Sequence, residues 1–536
     1  MMKTAIRHQD LLLASGEQSR EADRRTIESY GITGDTLMEI AGNRAADLIM
    51  DFFMEEPDRD GQSGNPFSEM PRVLFVCGKG NNAGDAFVIA RILMGYGFSV
   101  SLLPVLGTDR LSPDAQRNFD RLIRLSREME SEVTVCQKWP GSDHCDLIVD
   151  GIFGTGLERA VDPPVSGMID RINRSEKPVV ALDIPSGIHS DTGEVLGCAV
   201  RAEKTIQFGI QKLGCYIGDG PAYSGERLMS RLPFSPVFKQ SIRARLLDMS
   251  LQPMRALRLP ERGHDGRGGR IKRNRRHKYD NGVVHVIGGS SGLTGAPMYA
   301  AQAAWSLGMG AVTLLHPAAW SLAMETRAPE LIKRPVGDTD SEYFTGDDAD
   351  GVLSLLEEKE GVVVIGPGIG RRDETASFVR RIIAEFAGPI IIDADALHFI
   401  NGFEHILSEK GHPGQVILTP HPGELAVLGG KKAGTDHERL MDASALSERL
   451  GCVLLSKGSP TTVHSPSDRQ LLVTPYDTTV FSRAGFGDTL AGHLAAFLSR
   501  TGDPFASCEL ALLHGYQRIN EAAASGKAFP EPSDLT

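Results

Sequence analysis

Val73-Leu74-Phe75-Val76-Cys77-Gly78-Lys79-Gly80-Asn81-Asn82-Ala83-Gly84-Asp85 is the stretch whose reading decides the fold. The apolar run at its start reads as a buried parallel strand. Small residues follow, and an apolar helix begins at Ala86. Glycines let a backbone approach a phosphate, and the first turn of a helix offers unpaired N–H groups and a positive dipole end. A Gly-Asn turn without a ligand is the plain alternative at this one place.

The same pattern recurs downstream. Leu147-Ile148-Val149 runs into Asp150-Gly151-Ile152-Phe153-Gly154-Thr155-Gly156-Leu157, and Val179-Val180-Ala181-Leu182 into Asp183-Ile184-Pro185-Ser186-Gly187. In an open parallel sheet, such loops share one crevice at the carboxyl ends of the strands. Asn82, Asp150 and Ser186 would bring only oxygen donors to it, which suits a hard cation rather than zinc or copper. Taken singly, each is a common cap or turn residue.

Strand, small-residue loop and helix also organise the second half. Residues 283–287 lead into Gly288-Gly289-Ser290-Ser291-Gly292-Leu293-Thr294-Gly295-Ala296, residues 362–365 into Gly366-Pro367-Gly368-Ile369-Gly370, and residues 390–392 into Asp393-Ala394-Asp395-Ala396-Leu397. Leu418-Thr419-Pro420-His421-Pro422-Gly423-Glu424 and Lys457-Gly458-Ser459-Pro460-Thr461 follow, with helices expected over 296–307 and 375–386. Near the end, Arg483-Ala484-Gly485-Phe486-Gly487-Asp488 sets a lone carboxylate where a glycine loop enters a helix. A bound phosphate would repel that Asp unless it took a proton from a hydroxyl while the amides held the phosphoryl group. His421 and Lys457 have ordinary structural readings, but with Asp488 they supply most of what phosphoryl transfer needs.

The chain has 536 residues and a net charge of −12, too long for one core and too acidic for a general nucleic-acid binder. Seven scattered cysteines point to a reducing cytoplasm. The run Leu11-Leu12-Leu13-Ala14 is too short for a signal peptide, and no stretch reaches the ~20 apolar residues of a membrane span. Residues 262–278 hold eight Arg and Lys against one Asp and read as a solvated linker. The expected architecture is α/β: two doubly wound three-layer domains, 1–245 and 277–536, joined by a basic Gly/Arg-rich linker at 246–276.

At these motifs the chain resembles two known families. Gly80-Asn81-Asn82-x-Gly84-Asp85, Asp150-Gly-x-x-Gly154-Thr155-Gly156-Leu157 and Leu182-Asp183-Ile184-Pro185-Ser186-Gly187, with Leu37-Met38-Glu39-Ile40-Ala41-Gly42 before them, resemble NAD(P)H-hydrate epimerase over about residues 27–234. That resemblance implies a Rossmann-like fold with potassium held by Asn82, Asp150 and Ser186. It implies substrate contacts from Asn81, Asn82, Ala83, Gly84 and Asp85, and from Gly154, Thr155, Gly156, Leu157, Glu158, Arg159 and Ala160. Asp183 would be the acid/base at the nicotinamide C6 centre. Gly-Gly-Ser-x-Gly-x-x-Gly-Ala, Asp-Ala-Asp-Ala-Leu and Thr-Pro-His-Pro-Gly-Glu, in that order, resemble ADP-dependent NAD(P)H-hydrate dehydratase of the ribokinase-like superfamily from about residue 277 to 535. There the resemblance implies that Ala296, Gly368, His421 and Asp488 contact the hydrated nucleotide, with Asp488 as base. Lys457, Gly458, Ser459, Pro460, Thr461 and Gly487 would contact ADP, accompanied by Mg²⁺.

The chain departs from the family patterns twice. Ala83 and Ala86 stand where the epimerase family usually has glycine, and Arg483 and Phe486 are bulky where the dehydratase family commonly has Thr-Gly-Gly-Ser/Thr-Gly-Asp. The expectation is thus a bifunctional repair enzyme for NADHX and NADPHX, homo-oligomeric, with no membrane or nucleic-acid partner. A ribokinase-like small-molecule kinase and a nucleotide-binding protein with one inactive domain are the alternatives.

Overall fold

The computed structural model describes residues 8–55, 70–129, 133–257, 278–408, 415–429 and 431–536. Most of the expected linker lies outside them. The chain forms two compact units, Met1–Arg245 and Leu246–Thr536. Among the described residues no helix is long and apolar enough to cross a membrane.

Unit 1 is built on strands β1 (Arg72–Cys77), β2 (Ser99–Pro104), β3 (Thr134–Val135), β4 (Leu147–Gly151), β5 (Val179–Leu182), β6 (Lys204–Phe208) and β7 (Glu226–Ser230). They lie in the order β3-β2-β1-β4-β5-β6-β7, with every pairing parallel. Alternation along β1 feeds two cores: Val73, Phe75 and Cys77 enter one, Leu74 and Val76 the other. Helices α1 (Gly16–Tyr30), α2 (Gly34–Glu55), α3 (Asn81–Gly95) and α4 (Pro113–Glu128) belong to this unit. The order reverses between β1 and β4, so the loops after these strands open at the switch point. Leu11 to Ala14 ends in a short buried strand, Leu12–Ala14, whose Ala14 pairs with Lys212.

Unit 2 has strands β8 (Val283–Ile287), β9 (Ala311–Pro317), β10 (Ile332–Val336), β11 (Val362–Ile365), β12 (Ile390–Ile392), β13 (Val416–Leu418), β14 (Val453–Ser456), β15 (Thr462–His464) and β16 (Leu471–Val473). Their order is β10-β9-β8-β11-β12-β13-β14-β15-β16, parallel except for the last two joins. The register matches Ile365 to Ile392 and Ile392 to Leu418, which brings Gly366, Asp393 and Thr419 side by side at the carboxyl edge. Helices α5 (Gly295–Ser306), α6 (Phe486–Thr501) and α7 (Pro504–Ala524) pack together over one face. The helix expected over 375–386 spans Asp373–Glu385.

Helix starts divide by task. Ser15 and Gln18 form a reciprocal cap on α1, Ser112 caps α4, and Asp503 caps α7. By contrast α3 follows Gly80 and α6 follows Gly485, neither with a side-chain cap. Both of these helix starts border the clefts described next.

Candidate active sites

In unit 1 a cleft of about 950 Å³ opens over the switch point, lined by Asn81, Asn82, Asp85, residues 152–163, Asp183 and Lys212 among others. Asp183 leaves β5 at φ +66°, a left-handed conformation that non-glycine residues seldom hold without a functional reason. Its amide donates to the Ile206 carbonyl at 2.7 Å, and its Oδ1 accepts from the Phe208 amide at 3.3 Å and pairs with the Lys212 ammonium. Lys212 is 2% exposed, and its Nζ also donates to the Phe208 carbonyl at 2.8 Å. Asp23 and Asp85 share the cleft. Burial pushes Asp23 up to about 6, Lys212 opposing the rise and Asp183 adding to it, although part of the side chain meets cleft solvent. Burial, then the charges of Asp183 and Asp23, hold Asp85 well above the ordinary carboxylate range against Lys212.

Asn82, Asp150 and Ser186 come together behind Asp183. The Ser186 hydroxyl donates to Asp150 Oδ1 at 2.7 Å, and its amide donates to Oδ2 at 2.8 Å. Asn82 Nδ2 donates to the Phe153 carbonyl at 2.9 Å and the Leu182 carbonyl at 3.2 Å. Asn82 Oδ1 is buried without a partner. A buried carbonyl oxygen costs about 1–3 kcal/mol when unpaired. That orphan beside a buried carboxylate makes this donor set fit a monovalent hard cation. Burial lifts Asp150 to about 6 against the hydrogen bonds from Ser186 and the Ile152 amide.

Gly154 to Ala160 line the cleft with Asn81, Asn82, Asp85 and Asp183, whereas Ala83 and Gly84 do not. Helical periodicity explains the split: Ala83 and Ala86 turn their methyls into the core, and a Cβ at Gly84 would lie 2.7 Å from Met38 Sδ. The Ala83 and Ala86 departures therefore leave the cleft uncrowded.

In unit 2 a pocket of about 530 Å³ is lined by Asp393, His421, Glu424, residues 457–459, Thr461 and residues 481–488 among others. Gly485 at φ +96° turns the chain into α6, setting the amides of Gly487 and Asp488 in the first turn. Lys457 Nζ meets Asp393 Oδ1 at 2.6 Å, and the Thr419 hydroxyl donates to the same oxygen at 2.6 Å. Burial alone would lower Lys457, but Asp393, Glu424 and Asp488 hold it above the ordinary lysine range. A Cβ built on Gly487 would sit 3.3 Å from Lys457 Nζ. Burial, aided by Asp393 and Asp395 and opposed by Lys457, raises Asp488 to about 7. His421 Nδ1 accepts from the Gly423 amide at 2.9 Å, and Glu424 Oε1 lies 3.2 Å from Nε2.

His421, Asp488, Lys457, Gly458, Ser459, Thr461 and Gly487 line this pocket. Pro460 stands outside it, its carbonyl accepting from Arg439 at 2.9 Å. Ala296 and Gly368 lie together at the β8–β11 switch point, also outside the lining, where a Cβ on Gly368 would meet the Ala296 Cβ at 3.3 Å. The Phe486 ring packs in an apolar cluster with Ile519 and Leu535. Arg483 donates to the Pro530 carbonyl at 2.9 Å instead of reaching for an anion. Sequence reasoning passed over Lys212 and Asp23, which carry no motif. It also left out Asp393 and Glu424, which sit inside quoted motifs at a strand end and a helix start.

Comparison with known proteins follows this division. Residues 34–214 match the model of the YjeF-related protein N-terminus, and residues 284–531 match that of NAD(P)H-hydrate dehydratase. A bifunctional NAD(P)H-hydrate repair enzyme from Salinibacter ruber is 31% identical over 516 residues, 92% of this chain and 88% of that protein. The one from Escherichia coli is 30% identical over 524 residues, 96% and 91% of the two chains. A solved ADP/ATP-dependent NAD(P)H-hydrate dehydratase from Bacillus subtilis, co-crystallised with ATP/Mg²⁺, is 22% identical, with a TM-score of 0.41 over 49% of this chain and 90% of that one.

Proposed function

The chain belongs to the family of bifunctional NAD(P)H-hydrate repair enzymes, and from that premise we propose how its two sites divide the work. Residues 1–245 interconvert the R and S forms of NADHX and NADPHX, hydrated at C6 of the nicotinamide ring. Residues 277–536 dehydrate the S form at the expense of ADP, leaving AMP and phosphate. The observation that carries this reading is Asp488, raised to about 7, at an uncapped helix start beside Lys457. That is a base near the working pH next to a cradle for phosphoryl charge.

In this mechanism Asp488 takes the proton of the C6 hydroxyl as its oxygen attacks the β-phosphorus of ADP. The β-phosphorus to bridging-oxygen bond breaks, and AMP leaves. Lys457 and the first-turn amides face the transferred charge. The ring nitrogen then drives phosphate off C6 to leave C6=N1, and C5 gives up a proton to the departing phosphate as the C5=C6 bond forms and the electron pair returns to nitrogen. Mg²⁺ brought with ADP fits a pocket whose carboxylates include Asp393 and Glu424, and would neutralise phosphate charge. In residues 1–245, Asp183 serves as acid/base at C6. Asn82, Asp150 and Ser186 would hold potassium, which would supply a fixed positive charge under the substrate loop.

Incubating the whole chain with mixed NADHX epimers, with and without ADP, tests the assignment. Full recovery of reduced-nicotinamide absorbance with ADP is expected. A plateau at the S fraction refutes the epimerase half, and no recovery refutes the dehydratase half.

A further inference from the structure

The cleft of unit 1 gathers several carboxyl groups around one buried lysine, Lys212. Asp23 comes from α1, Asp85 from α3 and Asp183 from the end of β5, and all three line one space with Lys212. Lys79 and Asp114 line the same cleft. Lys212 spends its ammonium on Asp183 and the Phe208 carbonyl. Asp85 lies one turn past Asn81 on the cleft side of α3 and makes no hydrogen bond among the described residues. Asp183 is thus paired with a cation, while Asp85 lines the substrate space without a hydrogen-bond partner among the described residues.

We propose that Asp85 is a catalytic residue of the epimerisation, the acid that protonates the departing C6 hydroxyl, while Asp183, held by Lys212, is the base. The proposal rests on the reading of this unit as the epimerase. In the first half, the Asp85 carboxyl proton goes to the C6 oxygen. The C6–O bond breaks with its electron pair on the leaving water, and the ring-nitrogen lone pair forms C6=N1. In the second half, water adds to the opposite face of C6. A C6–O bond forms, the C=N pair returns to nitrogen, and the water proton goes to Asp183. C6 is inverted, and a proton passing between the two carboxyls resets the site. The reverse reaction exchanges their roles, as a two-way isomerisation requires. Burial and the charges of Asp183 and Asp23 favour the protonated form of Asp85 in the free cleft against the charge of Lys212, which is itself held in the ion pair with Asp183.

Exchange between R and S NADHX, measured with the full chain and without ADP, tests this. Asp85→Asn should lower kcat by about 100-fold or more, the usual range for losing a positioned acid, with KM little changed. Asp85→Glu should recover part of the rate. Dehydration of S-NADHX with ADP by the same preparations should stay at the wild-type rate. Wild-type kcat should fall as alkaline pH strips the Asp85 proton, and the residual rate of Asp85→Asn should lack that fall. Near-normal kcat in Asp85→Asn, or a loss confined to KM, overturns the proposal. So does a wild-type rate that stays flat into alkaline pH, a readout that needs no variant to fold. Asp183→Asn separates the two levels: if it keeps exchange, the reading of the site fails. If it loses exchange while Asp85→Asn keeps it, only the proposal fails.

Discussion

Each unit sets a lysine against a strand-end aspartate, Lys212 on Asp183 and Lys457 on Asp393, but the two pairs are turned in opposite senses. Lys212 is 2% exposed and Asp183 15%, so the ammonium is the anchor and the carboxylate faces the cleft. Lys457 is 21% exposed and Asp393 1%, so there the carboxylate is the anchor and the ammonium faces the pocket. The difference matches the chemistry proposed for each. Moving protons at a carbon centre calls for presented carboxyls, and unit 1 adds Asp85 and Asp23 to Asp183. Transferring a phosphoryl group calls for presented positive charge, and unit 2 adds an uncapped helix start to Lys457. Which member of an ion pair is exposed thus says more about a site than the pair itself.

The hardest test removes the base of unit 2. Asp488→Asn should lose about 10²- to 10⁴-fold in dehydration, the range for a positioned base, while R-to-S exchange continues. Near-normal dehydration would leave the Lys457 side of the comparison without chemistry. Next in size, Lys457→Met strands Asp393 in the core and should destabilise unit 2 by about 3–5 kcal/mol in denaturant unfolding. Lys212→Met should cost unit 1 less, because the Asp183 carboxylate reaches cleft water. Equal losses would break the anchor argument. A smaller effect follows from protonation. With Asp488 raised to about 7 and needed ionised, kcat/KM for dehydration should fall about tenfold per pH unit below that value. Exchange in unit 1, which needs Asp85 protonated, should fail at the alkaline end instead. Profiles that fall on the same side would contradict the assigned roles.

Much of this was legible because parallel strands buried on both faces are unbroken apolar runs, and the residue that ends each run is where function sits. Asp150 and Asp183 stand at such ends; so does Asp393, but its part in the site shows only beside Lys457. Lys212 could not be placed that way. It owes its position to a two-residue strand that pairs Leu13 with Gln211 and Ala14 with Lys212 across some two hundred residues, a contact with no local pattern. Asp23 was hidden for a different reason: it lies among the charges of α1, which read as an ordinary solvated helix. At Arg483 and Phe486 the sequence showed bulk without direction. Residues near the C-terminus supply that direction, since Leu535 receives the Phe486 ring and the Pro530 carbonyl receives the Arg483 guanidinium.

The smallest prediction concerns a residue whose bulk invites the same worry in unit 1. Ala86 follows Asp85 directly, where the related motif usually has glycine, so a methyl there would be expected to press on the substrate. Yet α3 begins at Asn81, and although Ala86 follows Asn82 by one turn it does not line the cleft: its methyl belongs to the core of unit 1. Its side chain is fully buried, and a Cβ built on Gly151 would come within 2.8 Å of it, so the methyl fills the space between α3 and the end of β4. Ala86→Gly should therefore cost about 1 kcal/mol or somewhat more, from lost helix propensity and a lost buried methyl, read as a lower unfolding midpoint. It should not speed R-to-S exchange. A faster variant would mean that the methyl does reach the substrate, and that the cleft face of α3 extends past Asp85.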